Sequence, residues 1–312
     1  MTNIDWVDEH LAEDGGFPRA DWVAIGTRIQ ESIPRERWNE TWDAAAQLWL
    51  HRTAESLGSG FRVLKSRNFL LLAPDLVGEE EALLRFLEQA LTTVVSNLPG
   101  IADDEGYGRH AVLVLDSRDL YYDYVDWFSP PGGSYPFTGG MCLLDGYTHF
   151  VIPWENLLEA EKAVAHELTH ACLGHLPIPS WLNEGMAQVL ESIATGGVRQ
   201  LLTPEQVRDQ LGYWNPQTIQ QFWSGGSFHR PVDGFSLGYT LGYHLVKILS
   251  QDFDRFREFV LRARADDAGE SALREVFSAS LGSVVQRVLG PGNWDVRPES
   301  WDDLAPLPSE EE

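Results

Sequence analysis

The sequence predicts an α+β protein, with a mixed sheet and helices in its first half and a mostly helical C-terminal lobe. Between residues 61 and 152, short apolar runs of strand length recur and are bounded by turn residues. A long amphipathic pattern at 79–98 separates two of these runs and indicates a helix. From about residue 155 onward, apolar residues recur at helical spacing instead. Because 312 residues can bury a sizeable core, we expect two structural lobes.

The first 60 residues are rich in tryptophan and are predicted to be helical. Trp38, Trp42 and Trp49 recur there, among several alanines, at three- and four-residue spacings. An aromatic stripe of this kind is typical of core packing and much less often of a binding surface. We therefore assign no ligand to this segment.

The predicted sheet begins with a hairpin. Residues 61–64 and 69–73 read as two strands joined by a short turn, and residues 111–115 read as a buried strand. An aromatic segment at 120–128 follows, and then a loop at 129–140 that is rich in proline and glycine. The sequence thus places several strands before residue 120.

A second hairpin leads directly into a helix. Residues 141–144 and 147–152 flank an Asp-Gly pair, which is the preferred sequence for a two-residue hairpin turn. Pro153 ends the second of these strands, and helical spacing of apolar residues begins near Glu155. Gly174 provides a C-terminal stop for this helix.

These patterns divide the chain into four predicted segments. They are an N-terminal helical segment at 1–60, a mixed α/β lobe ending in the second hairpin at 61–154, a helical lobe at 155–290, and an acidic, flexible tail at 291–312. We see no internal repeat in the sequence.

Charge and composition limit the possible partners. The formal net charge of −24 disfavours binding to nucleic acid or to an anionic membrane. No apolar run is long enough to span a bilayer, and the acidic N-terminus lacks the features of a signal peptide, so we expect a cytoplasmic protein. The two cysteines, Cys142 and Cys172, form neither a metal-binding spacing nor a disulfide framework. The sequence does not indicate an oligomeric state.

The strongest functional signal is the stretch His166-Glu167-Leu-Thr-His170. Residues four apart on a helix lie on the same face, so both imidazoles point toward one position, as a tetrahedral zinc ion requires. Glu167 flanks that position and can accept a proton from water, which is the arrangement of a metalloprotease. The alternative is a half-buried helix that carries these residues without a metal.

A third metal ligand is expected from a separate element. Glu184 lies in the first turn of a second predicted helix, within reach of the metal if the two helices form a hairpin. His175 is the competing candidate, but it falls at the wrong offset for the zinc proteases whose third ligand is a histidine. Glu184 could also be only a helix N-terminal carboxylate favoured by the macrodipole. We favour Glu184 as the ligand.

Together with Trp181-Leu-Asn-Glu184-Gly, the His166–His170 motif resembles the gluzincin metallopeptidases, especially the M1 aminopeptidase-like group and its relatives with a peptidase MA-like domain. Tyr239-Thr-Leu-Gly242 is similar to the segment that carries that family's catalytic tyrosine. The resemblance runs from about residue 61 to 289 and implies a zincin-like sheet. It also implies one Zn²⁺ per chain, held by His166, His170 and Glu184. Glu191 and Asn183 would then orient these ligands from the surrounding shell of residues.

The sequence departs from the M1 pattern in two places. The interval between the second histidine and the third ligand is shorter than in M1 enzymes. Where those enzymes carry Gly-x-Met-Glu-Asn, this chain has Gly139-Gly140-Met141-Cys142-Leu143. The family's glutamate, which binds the free amino terminus of the substrate, is thus replaced by Cys142, and a thiol cannot pair with an ammonium group as a carboxylate does. The strand formed by Gly139, Gly140, Met141 and Cys142 could still align a peptide by backbone pairing.

We therefore expect a zinc-dependent peptidase that acts on a peptide or protein and is not an aminopeptidase. Glu167 would be its general base, and Tyr239 would donate to the developing oxyanion. The alternative is a catalytically weak zinc-binding or scaffold protein of the same fold that acts on or binds one specific partner protein. Intact Glu167 and Tyr239 favour the peptidase, because metal binding alone requires neither. Hydrolysis of a small non-peptide electrophile by the same chemistry stays open.

Overall fold

The α+β architecture expected from the sequence is present in the computed structural model. The structure describes residues 4–128, 139–144, 146–197, 202–228 and 234–302, and for Asp14 its backbone only. The chain consists of two compact units. Of the described residues, unit 1 comprises 4–96, 104–128, 139–144 and 146–172; unit 2 comprises 97–103, 173–197, 202–228 and 234–302.

Unit 1 contains a five-stranded mixed sheet in the order β3-β4-β5-β7-β6. The central strands β4, β5 and β7 are parallel, whereas β3 and β6 pair antiparallel at the two edges. The bounds are β3 Phe61–Lys65, β4 Phe69–Pro74, β5 His110–Leu115, β6 Met141–Leu143 and β7 His149–Pro153. Strands β4 and β7 are buried along their whole length, which explains why they read as continuous apolar runs. The first predicted hairpin is confirmed, and β6 and β7 pair antiparallel as expected. The predicted two-residue Asp-Gly turn is wrong, because Leu143 pairs with His149 and residues 144–148 therefore connect the strands. Residue 145 lies outside the described residues.

Residues 1–60 are not only helical, because a small two-stranded sheet precedes the first α-helix. Strands β1 (Leu11–Asp14) and β2 (Phe17–Ala20) pair antiparallel. Gly15 and Gly16 at their turn both have positive φ, of 60° and 95°. A two-residue turn with positive φ at both positions favours glycine at each of them. The Gly15-Gly16 pair therefore indicates this hairpin in the sequence.

The five helices that begin in unit 1 are α1 Trp22–Ser32, α2 Trp38–Leu57, α3 Glu79–Asn97, α4 Arg118–Phe128 and α5 Leu157–Leu173. Trp38 and Trp42 of α2 pack against a buried cluster that includes Ile25 and Ile29 of α1. The tryptophan-rich stripe is therefore core packing, as predicted. The aromatic segment at 120–128 proves to be most of helix α4, and the part of the proline- and glycine-rich loop at 129–138 lies outside the described residues.

The structure places α5 with the sheet rather than with the helical lobe that was predicted to begin at residue 155. A methyl group added at Gly140 would lie 3.4 Å from the Cβ of Ala163, so this face of α5 packs closely against the residue that precedes β6. Unit 1 thus includes α5 together with the sheet.

Described residues of unit 2 form helices, with no strand among them. The helices are α6 Ser180–Ala194, α7 Pro204–Tyr213, α8 Thr218–Trp223, α9 Gly234–Leu249, α10 Phe253–Arg262, α11 Glu270–Phe277 and α12 Leu281–Leu289. Trp181 is fully buried, packs against Phe222 and Phe259, and donates its indole N–H to the carbonyl oxygen of Ala268 at 2.9 Å. No helix in the described ranges has both the length and the apolar character needed to cross a bilayer.

The segment after α12 is tied to α8 by hydrogen bonds, which the prediction of a flexible tail from residue 291 did not anticipate. Gln220 is buried; its amide nitrogen donates to the carbonyl oxygen of Asp295 at 2.8 Å, and its amide oxygen accepts from the backbone N–H of Arg297 at 2.9 Å. The indole of Trp223 donates to the carbonyl oxygen of Trp294. Residues 303–312 lie outside the described part of the chain.

A buried histidine lies on β7 in unit 1. His149 is fully buried; Nδ1 lies 2.8 Å from the carbonyl oxygen of Tyr147, and Nε2 lies 2.9 Å from the hydroxyl of Tyr124. The carbonyl can only accept, so the neutral ring donates from Nδ1 and accepts the tyrosine proton at Nε2. Burial lowers the pKa of His149 from 6.5 to about 4, although the hydrogen bond to the Tyr147 carbonyl acts in the opposite direction.

This histidine should make the folded state sensitive to mild acid. Because the folded pKa is depressed, the unfolded chain binds more protons between pH 6.5 and 4, so stability falls as the pH falls through that window. We expect His149 to account for a loss of about 2 kcal/mol in unfolding free energy between pH 7.5 and pH 5. Urea unfolding of wild type and His149→Gln at both pH values measures this. The variant should be less stable at pH 7.5 but lose correspondingly less on acidification; equal losses would contradict the assignment.

Candidate metal centre

Helix α5 presents the two predicted histidine ligands on one face. The rings of His166 and His170 have their centroids 4.7 Å apart at an interplanar angle of 79°. Both side chains are half-buried, whereas Ala165, Leu168 and Thr169 on the rest of the helix are fully buried. The four-residue spacing therefore brings the two imidazoles together, as expected for a helix.

Glu167 is held by the backbone of the edge strand β6. Glu167 is only 9% exposed, and its Oε2 accepts a hydrogen bond from the backbone N–H of Cys142 at 2.9 Å. A charge-assisted bond of this kind fixes the orientation of the carboxylate. Sequence reasoning missed this contact, because a backbone donor leaves no signature in the side chains.

Of the residues predicted to bind substrate, Met141 and Cys142 begin β6, and Gly139 and Gly140 directly precede it. One backbone N–H of this segment is already hydrogen-bonded. Gly139 is exposed, Gly140 is buried, and Met141 and Cys142 are half-buried. A Cβ on Gly140 would lie 2.6 Å from Cγ2 of Ile152, so only glycine fits there. Since Cys142 donates its N–H to Glu167, this amide is not free for a substrate backbone in the structure as it stands.

The thiol of Cys142 stays uncharged at neutral pH. Its pKa lies well above the ordinary value, first because the group is buried and then because the Glu167 carboxylate and Cys172 lie nearby. A neutral thiol provides no charge to pair with an ammonium group. This property agrees with the expectation that residue 142 does not bind a free amino terminus.

Glu184 lies on α6, which begins after Pro179. One ligand atom from each of His166, His170 and Glu184 lies within 4.8 Å of the other two, and this is the one such group of three among the described residues. Two imidazole nitrogens and a carboxylate oxygen are a donor set that suits zinc, whose bonds to them are about 2.0–2.2 Å long. The three residues therefore fit a zinc ion after small adjustments. His175 is exposed after the end of α5 and is not part of this group.

The remaining predicted residues of unit 2 lie on α6 and α9. Tyr239 is half-buried on α9, with its ring against Phe228 and Phe235 at centroid distances of 5.4 and 4.8 Å. Asn183 and Glu191 are half-buried on α6. The Glu191 carboxylate accepts a hydrogen bond from the Gln188 amide at 3.2 Å.

A comparison of the chain with protein-family models finds no match, and neither does a comparison with curated proteins.

Proposed function

We propose that this protein is a zinc-dependent peptidase in which Glu167 is the general base. The grouping of His166, His170 and Glu184 is the observation that supports this most, because it brings a third donor from another helix to the histidine pair. A carboxylate next to the first histidine, held in place by the Cys142 amide, adds the proton acceptor that metal binding alone would not need.

Zinc held by these three residues would polarise the substrate carbonyl and lower the pKa of a water molecule to roughly 7. Glu167 accepts the proton that this water loses on attacking the scissile carbon, and it later returns the proton to the leaving amine. The Cys142 N–H keeps the second carboxylate oxygen in place during both transfers. Tyr239 donates a hydrogen bond to the carbonyl oxygen as it gains negative charge.

Substrates are peptides or proteins that are cleaved without recognition of a free amino terminus. Residue 142 carries a neutral thiol where a carboxylate would be needed to pair with an ammonium group. The activity should therefore differ little between a peptide and its N-acetylated form.

The first test is the metal content of the purified protein. After dialysis against trace zinc, we expect about one zinc per wild-type chain, none after Glu184→Ala, and full occupancy after His175→Ala, measured by mass spectrometry of the metal. His175→Ala is the matched control because it removes an exposed, nearby imidazole. Wild type that takes up no zinc would refute the proposal. Zinc binding without cleavage of a peptide library would instead favour a zinc-binding scaffold protein.

A further inference from the structure

Two helices of unit 2, α6 and α9, meet backbone to backbone at a pair of glycines. A methyl group built on Gly185 of α6 would lie 2.6 Å from the carbonyl oxygen and 2.8 Å from the carbonyl carbon of Gly242 on α9. A methyl group on Gly242 would lie 2.9 Å from the carbonyl oxygen of Trp181. Both glycines are buried. No side chain larger than hydrogen fits at this crossing unless the helix backbones move apart.

The crossing lies next to two residues of the proposed active site. Glu184 immediately precedes Gly185, and Tyr239 precedes Gly242 by three residues, which is about one helical turn. Side chains three apart on a helix lie on neighbouring positions of one face, so Tyr239 lies on α9 close to the line of contact. Helix backbones are stiff over one turn, and a shift at the crossing would therefore move both functional side chains.

We infer that Gly185 and Gly242 are positioning residues, whose contact sets the placement of Glu184 relative to Tyr239. This inference depends on the proposed function, because it assigns a purpose to the distance between a metal ligand and an oxyanion donor. Ordinary helix pairs lie about 8–10 Å apart according to the side chains between them. At a glycine pair the two backbones are in direct contact and set the distance between the helices. This distance can vary less than one that is set by interdigitated side chains.

Two other residues of unit 2 provide control variants, which separate a positioning role from a general effect on packing or stability. Gly212, on α7, has nothing within 4 Å of an added methyl group. A Gly212→Ala variant therefore changes the same residue type without a clash. Gln220 on α8 makes three hydrogen bonds to the C-terminal segment. Its replacement by alanine provides a second control, which lowers stability at a site without either glycine.

The first experiment measures metal binding. Gly185→Ala is expected to weaken zinc affinity about 10- to 100-fold, in the range seen when the groups that orient metal ligands are changed. Competition with a chromophoric chelator gives the affinity, circular dichroism gives the folded fraction, and the absorption spectrum of the cobalt-loaded protein reports the ligand geometry. Gly212→Ala and Gln220→Ala should keep wild-type affinity and spectrum, even where Gln220→Ala melts at lower temperature.

The second experiment tests the connection to Tyr239 and uses the milder clash at Gly242. Gly242→Ala is expected to lower kcat about 10- to 100-fold with little change in KM, because a donor displaced by about 1 Å can cost that much. In a Tyr239→Phe background, Gly242→Ala should have almost no further effect on kcat, since the group it displaces is already absent. Equal losses in both backgrounds would show that Gly242 does not act through Tyr239 and would overturn the positioning role of Gly242.

The outcomes separate this inference from the proposed function. If wild type binds no zinc and cleaves nothing, both are refuted. If wild type binds zinc and cleaves peptides, while folded Gly185→Ala keeps the wild-type zinc affinity and cobalt spectrum and folded Gly242→Ala keeps the wild-type kcat, the peptidase proposal stands and the positioning role is wrong. If Gly185→Ala does not fold, the kcat of Gly242→Ala in the wild-type and Tyr239→Phe backgrounds decides.

Discussion

Replacement of Glu167 by glutamine is expected to lower peptide hydrolysis by about 10²- to 10⁴-fold and to leave zinc content at the wild-type level. Glutamine has the same shape as glutamate but cannot accept the proton that water loses. Its amide oxygen can still accept the hydrogen bond from the backbone N–H of Cys142, so the local structure should persist. Initial rates on a fluorogenic peptide, together with metal analysis of the same samples, measure the two effects.

Glu159→Gln is the matched control for this variant. Glu159 lies on the same helix, α5, and its carboxylate is half exposed in a pair with Lys162, 2.8 Å from Nζ. An exposed pair of this kind contributes little to stability, so the control should retain full activity and zinc. Wild-type rates for Glu167→Gln would rule out the assignment of the general base. Loss of zinc from Glu167→Gln would mean instead that Glu167 supports the metal site.

The parts of the fold that could be predicted are those determined by local periodicity. Strand β4 and helix α5 each carry their burial pattern in consecutive residues, and the pairing of His166 with His170 follows from helical spacing alone. The glycine pair at 15–16 shows the limit of this approach. Its turn was readable in principle, but the flanking strands of four residues are too short to display a period.

Contacts between distant residues could not be predicted from the sequence. The hydrogen bond from the Cys142 amide to Glu167 joins backbone to side chain across 25 residues, and the bonds of Gln220 to the segment after α12 cross more than 70. The close approach of Gly185 to Gly242 is likewise invisible, because a glycine is compatible with a turn, a flexible point or a tight crossing. Which of these applies depends on the packing of other helices.

Two roles must be distinguished for Tyr239: its hydroxyl group donates to the oxyanion, or its ring only packs in the core. Tyr239→Phe is expected to lower kcat about 10²- to 10³-fold, with KM and zinc content nearly unchanged, because only the hydroxyl that would donate to the oxyanion is removed. The phenylalanine ring keeps the edge-to-face contacts with Phe228 and Phe235, so the packing of this part of α9 is retained. Steady-state kinetics with metal analysis and thermal melting measure the change.

A core aromatic without a catalytic role makes the opposite prediction for the same variant. If Tyr239 only fills space between Phe228 and Phe235, phenylalanine should preserve kcat, since a ring of nearly equal volume replaces it. Tyr243→Phe, one turn further along α9, removes a tyrosine hydroxyl from the same helix and should leave kcat within a few-fold of wild type. A loss confined to Tyr239→Phe would therefore locate the effect in one hydroxyl group. Equal losses in both variants would mean that α9 tolerates neither change, and they would remove Tyr239 from the proposed mechanism.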